Sequence, residues 1–309
     1  MSIIKKEQLP LEYQVLWDEL IMPVDTDITF ERVILSEENT EKYRALMKEQ
    51  FYREKLFEYG LMPMNRILLY GASGTGKTFS LKALSNKLQY TLIYVDIAKS
   101  LTEGNVSQNI ANIFKLGNYI ADRYEGCIIF LDECDSIAWN RDTGTSESGA
   151  IRRATNSIFQ HLDQMSPNAI FASATNMLHR LDAAFERRFN LKLEFRRPEL
   201  DIDETIRHFM FNKFELVDDV DVNVREVVKK RAKQYVKLSY YELQVLVERA
   251  MKDAILNDTI QVKTSYIYNL LADNMNFKIR FGTANDEDEM FSNKETYDPR
   301  YNRNIPKQL

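Results

Sequence analysis

Residues 71–78 read Gly-Ala-Ser-Gly-Thr-Gly-Lys-Thr, and Gly71, Gly76, Lys77 and Thr78 meet the spacing G-x-x-x-x-G-K-[ST] of a phosphate-binding loop. A polyphosphate is held by closely packed backbone N–H groups, which side chains would keep at a distance. Glycine removes that obstacle and adopts the dihedrals such a loop requires. The binding candidates are therefore the whole loop: Gly71, Ala72, Ser73, Gly74, Thr75, Gly76, Lys77 and Thr78. Lys77 is spaced to reach the β- and γ-phosphates of a triphosphate, and the Thr78 hydroxyl to ligate Mg²⁺. A helix opening at Gly76 turns its positive end towards the same phosphates.

Hydrolysis at such a loop needs a carboxylate for the metal and a base for water. The apolar run Cys127-Ile-Ile-Phe-Leu131 ends in two carboxylates, Asp132 and Glu133. Ligands of open α/β sheets sit beyond the carboxyl ends of the strands. Asp132 is thus placed to hold the water shell of Mg²⁺, and Glu133 to orient and polarise an attacking water. The run 169–174 ends in Thr175 and Asn176, whose amide is placed to bridge the γ-phosphate and that water. Alone, each feature reads blandly, as a solvated acidic strand end or an Asn turn. Arg187 and Arg188 precede the fifth apolar run; elsewhere a paired arginine is ordinary solvated surface.

These residues need a frame. Apolar runs at 66–70, 91–96, 127–131, 169–174 and 191–195 read as strands, with helices expected at 79–88, near 105–119 and at 148–162. Strands this apolar, without alternation, imply a parallel sheet covered on both faces. The fold class is α/β, a five-stranded parallel sheet of the P-loop type with helices on both faces, followed by a small all-helical domain. The expected boundaries are a lead-in at 1–25, the α/β region at 26–197, the helical region at 198–275 and a polar, flexible tail at 276–309.

Composition narrows the partners. The chain has 309 residues, 44% hydrophobic and 28% charged, with net charge −5. That is an ordinary globular balance with no global basic field for nucleic acid. No apolar run approaches the roughly 20 residues of a membrane span, and the N-terminus lacks a signal-peptide core. Cys127 and Cys134 flank an apolar strand, as reduced core residues of a cytoplasmic protein would. The histidines His161, His179 and His208 lack ligand spacing.

Taken together, the phosphate loop, Asp132-Glu133-Cys-Asp-Ser136, Ala174-Thr-Asn176 and Leu181-Asp-x-Ala-Phe-x-Arg-Arg-Phe189 resemble the AAA+ ATPases in order and spacing. The nearest branch is the one holding katanin, spastin, the ESCRT-disassembly ATPase and bacterial SpoVK-like proteins. The resemblance covers roughly residues 28–273. It implies a helical lid and a ring of like subunits, usually a hexamer, with ATP and Mg²⁺ between neighbours. It makes Asn176 sensor 1, and Arg187 and Arg188 arginine fingers for the next subunit. Ser239 matches a small lid residue set against the nucleotide, and residues 27–35 match the segment whose backbone receives adenine. The lid shows no sensor 2 arginine.

The implied activity is Mg²⁺-dependent ATP hydrolysis coupled to remodelling or disassembly of a protein complex. Peptide-threading relatives carry an aromatic pore-loop residue where this chain reads Lys99-Ser-Leu-Thr-Glu103, so only Leu101 is left to grip a peptide. An ATP-gated scaffold or loader therefore stays open as an alternative, acting on a protease, a nuclease or DNA. For DNA the sequence offers one basic patch, Lys229-Lys-Arg-Ala-Lys-Gln-Tyr-Val-Lys237, which more often marks a solvated helix face.

Overall fold

The computed structural model describes residues 4–22, 27–95, 106–134, 148–196, 202–210, 213–235 and 238–281. The expectations for residues 99–103, for Asp135 and Ser136 and for the tail beyond 281 lie outside the described residues. Contact density divides the chain into two units, Met1–Arg196 and Arg197–Leu309.

The first unit is built on β1 (Arg66–Gly71), β2 (Thr91–Val95), β3 (Cys127–Leu131), β4 (Ala169–Thr175) and β5 (Leu191–Phe195). They form one five-stranded sheet in the order β2-β3-β4-β1-β5, and every pairing is parallel. Parallel neighbours require crossovers. Helices precede the sheet at α1 (Leu11–Leu20), α2 (Glu37–Phe51) and α3 (Arg53–Glu58). The crossovers carry α4 (Lys77–Leu88), α5 (Val106–Arg123), α6 (Ser148–Asp163) and α7 (Ala183–Glu186).

Both faces of the sheet are covered, which is why its strands read as unbroken apolar runs. On β3, Cys127, Ile129 and Leu131 join a cluster with Ile110, Ile113 and Phe114 of α5 and Ala154 and Ile158 of α6. Ile128 and Phe130 face the other way, into a cluster with Tyr43 and Leu46 of α2 and Leu81 and Leu84 of α4. Ile128, Ile129 and Phe130 are wholly buried. Burying such a side chain stabilises by roughly 1.5–3 kcal/mol, so a polar residue here would cost the sheet its core.

Two strands run one residue further than their apolar runs. Gly71 pairs with Phe195 of β5, and Thr175 pairs with Tyr70 of β1. Cross-strand pairing, which composition cannot reveal, sets both ends. The stretch read as a lead-in is also part of this unit. Leu9, Tyr13 and Leu20 are buried in the core cluster of α5 and α6, and the Met22 amide donates to the Tyr94 carbonyl at 2.7 Å. That bond, with an antiparallel bridge between Ile21 and Val95, covers part of the outer edge of β2.

The second unit comprises α8 (Ile202–Phe209), β6 (Glu215–Val217), α9 (Val222–Tyr235), α10 (Tyr240–Leu256), β7 (Gln261–Lys263) and α11 (Thr264–Phe281). The expected all-helical region thus contains a two-stranded parallel sheet, with Leu216 opposite Val262. Each strand is three residues long, too short for alternation to emerge from the sequence. Within this unit the buried Asp203 carboxylate accepts from Tyr268 Oη at 2.8 Å and pairs with Lys229 at 3.0 Å and Arg225 at 3.5 Å.

Candidate functional site

The strand order puts β1 beside β4 and places β3 one strand further out, so their carboxyl ends share one edge of the sheet. The phosphate loop leaves β1 there. Gly71 has φ +139°, and a Cβ on it would lie 1.9 Å from the Phe195 carbonyl oxygen. Only glycine lets β1 turn out of the sheet that close to β5. Gly76 has φ +98° and caps α4, whose first turn holds Lys77 and Thr78. Thr75 is buried and its hydroxyl donates to the Ala72 carbonyl at 2.8 Å, closing the loop on itself.

Lys77 joins two segments far apart in sequence. Its Nζ donates to the carbonyls of Gly71 at 2.7 Å and Ala72 at 2.8 Å, and to Asn176 Oδ1 at 2.7 Å. Asn176 can meet it because Thr175, the residue before it, lies opposite Tyr70 at the start of the loop. The ammonium is thus held over the loop by three oxygen acceptors, where charge-assisted hydrogen bonds are strong.

Asp132 is the second junction. Its Oδ2 accepts from Thr78 Oγ1 at 2.7 Å and from Tyr94 Oη at 2.9 Å, and its Oδ1 accepts from the Glu133 amide at 3.0 Å. These donors are all neutral, so none of them supplies a countercharge to the carboxylate. A hydroxyl and a carboxylate form the oxygen-only donor set that suits Mg²⁺. Thr78 and Asp132 are the residues that would hold the ion.

Glu133 is exposed and has φ +51°, in the left-handed region. A non-glycine residue pays roughly 1–3 kcal/mol for such a conformation, and strain of this kind concentrates at functional sites. Here the backbone turns as soon as β3 ends. The carboxylate is carried beyond the strand instead of onto its buried face.

Tyr94 was not anticipated from sequence. It lies in β2 opposite Phe130, and the two rings stack at 5.1 Å. Burial, followed by the nearby Asp132 carboxylate, pushes its phenol above the usual range, so it stays protonated as a donor. Its one signal in the sequence is a polar tip inside the apolar run Thr91-Leu-Ile-Tyr-Val95.

The remaining candidates separate. Arg187 ends α7 and is exposed. Arg188 is half-buried against its own unit: its guanidinium lies 3.9 Å from the Phe159 ring centroid, and Nη1 donates to the Ala184 carbonyl at 3.2 Å. Ser239 belongs to the second unit, where it caps α10 in a reciprocal pair with Glu242. In the segment 27–35, Ile28 and Val33 pack on Ala83 of α4, with Phe30, Leu35 and Phe79 around them. Of the basic patch, Lys229 is engaged with Asp203. Among the described residues no helix is long and apolar enough to cross a membrane, and no group of three or more His, Cys, Asp and Glu side chains could hold a metal ion.

Residues 67–197 match the model of the ATPase family associated with various cellular activities (AAA). The chain is 30% identical to proteasome-activating nucleotidase 1 of Haloferax volcanii over 231 residues, 72% of this chain and 55% of that protein. It is 31% identical over 169 residues to an AAA family ATPase of Sinorhizobium fredii, 54% of this chain and 49% of that protein. It is 28% identical over 224 residues to cell division protein C of Sulfolobus acidocaldarius, 70% of this chain and 58% of that protein. The chain spans about half the length of the curated relatives it matches. The relatives include several proteasome regulatory subunits. They support an ATP hydrolase of the AAA type without singling out the katanin and spastin branch.

Proposed function

We propose, from the premise that residues 67–197 form an AAA-family ATPase domain, that this chain hydrolyses ATP and uses the cycle to remodel a protein complex. The observation that carries the reading is the convergence of the loop, Asp132 and Asn176 at one sheet edge, through Lys77 and Thr78.

Each residue has a task there. The loop amides and Lys77 bind the phosphates, and Lys77 exchanges its carbonyl partners for phosphate oxygens. Thr78 and Asp132 would hold the metal, which would neutralise charge developing on the phosphates. Glu133 accepts the proton of the attacking water, and Asn176 orients that water against the γ-phosphate. The apolar group around Ile28 and Phe30 offers a surface for the base.

We further propose that the site is completed by a neighbouring copy in a ring. Arg187, being exposed, is the better candidate for the finger, and Arg188 buttresses α7 from behind. Ser239 and the lid role of the second unit belong to the same proposal. The relatives, which include a proteasome-activating nucleotidase, favour a protein substrate, or a protease partner served by an ATP-gated scaffold. A DNA partner draws less support, because Lys229 serves an internal ion pair.

The reading is tested by binding a fluorescent ATP analogue to the full chain. Lys77→Ala should weaken binding by about 10- to 100-fold, the worth of hydrogen bonds to a charged group. Equal affinity would remove Lys77 from the site. For the ring, Arg187→Ala subunits mixed with Glu133→Gln subunits should regain activity that neither shows alone. No recovery would contradict a shared site.

A further inference from the structure

We propose that Tyr94 is a positioning residue that holds the Asp132 carboxylate in aim for the metal. The proposal rests on the Mg²⁺-ATP reading of the site given above.

The Asp132 carboxylate is fixed from three sides. Oδ2 receives Thr78 and Tyr94, and Oδ1 receives the Glu133 amide. The two hydroxyls are not equivalent. Thr78 lies in the loop and would itself ligate the metal, so its bond to Asp132 would be exchanged as the hydroxyl turned to Mg²⁺. Tyr94 belongs to β2, and its ring is clamped by the stack on Phe130, its partner in the strand register. Its bond, 2.9 Å long, needs no such exchange and would persist.

The terminal torsion of an aspartate is soft. With Tyr94 absent and Thr78 turned away, the Glu133 amide alone would restrain it. That amide belongs to a residue in a strained conformation, so it is a poor sole anchor. Outer partners of this kind orient a metal-binding group, and losing one typically costs 10–100-fold in metal affinity or activity.

The test is Tyr94→Phe, which deletes the hydroxyl and keeps the ring that stacks on Phe130. Full-length protein is titrated with a fluorescent ADP analogue, first in EDTA and then at increasing Mg²⁺. Affinity in EDTA should stay within about twofold of wild type, because the loop and Lys77 are untouched. The Mg²⁺ concentration that half-maximally tightens binding should rise about tenfold. Turnover at saturating Mg²⁺ should recover towards wild type. An unchanged or lower Mg²⁺ requirement would overturn the proposal. So would a parallel loss of affinity in EDTA, which would make the hydroxyl a general support of the loop. If the wild type shows no Mg²⁺-dependent tightening, the reading of the site fails and this proposal with it. If the wild type tightens and Tyr94→Phe tightens at the same Mg²⁺, only this proposal fails.

Discussion

Two aspartates, one in each unit, meet opposite fates. Asp203 in the second unit faces a phenol and two cations, Lys229 and Arg225, so its charge is neutralised from within. Asp132 in the first unit also receives a tyrosine hydroxyl, but its described partners are all neutral. The first arrangement is complete as it stands. The second is oriented by neutral donors alone, an arrangement suited to a cation from outside. A carboxylate of structural use and one of chemical use can therefore share a residue type and a tyrosine partner. What separates them is whether the fold itself supplies the countercharge.

This contrast can be broken first at Asp203. Asp203→Asn leaves Lys229 and Arg225 beside a neutral amide, and losing one partner of a buried pair typically costs 3–5 kcal/mol. Both cations retain some exposure, so about 3 kcal/mol is expected by denaturant unfolding. A change under about 0.5 kcal/mol would show that the cluster is idle. Asp132→Asn should behave in reverse. The hydroxyls of Thr78 and Tyr94 can rotate to accept from the new amide, so stability should move by less than about 1 kcal/mol. The Mg²⁺-dependent part of nucleotide affinity should fall about 100-fold. Comparable unfolding costs for the two variants would erase the distinction.

The smallest effects sharpen the same idea at the paired arginines. Arg188→Ala removes the guanidinium from the Phe159 ring and should cost about 1 kcal/mol of stability. Arg187→Ala, at an exposed position, should stay within about 0.5 kcal/mol while lowering turnover. If Arg187→Ala destabilises more than Arg188→Ala, their assignments exchange.

Much of the first unit was legible because its determinants are local. The apolar runs give the five strands of the parallel sheet, and the phosphate loop has glycines at fixed spacing. What stayed hidden depends on contacts between distant segments. Tyr94 matters because β2 lies beside β3, and no spacing within 91–95 announces that. The two arginines look alike in sequence, and only the placement of Phe159 and Ala184 divides them. The strands β6 and β7 were invisible because three residues carry no period. The segment 1–25 reads as a lead-in because a single short helix, α1, buries its face only against partners supplied elsewhere, here α5.

The central claim is that Glu133, carried past the end of β3, activates the water that attacks ATP bound at Lys77 and Thr78. One measurement addresses it most directly: nucleotide binding and single-turnover phosphate release, followed together in Glu133→Gln. Positioned general bases contribute about 10²–10⁴ in rate. Binding within about twofold of wild type, with hydrolysis slowed at least 100-fold on that scale, is the result expected. Hydrolysis at the wild-type rate would contradict the claim, because the base would then lie elsewhere.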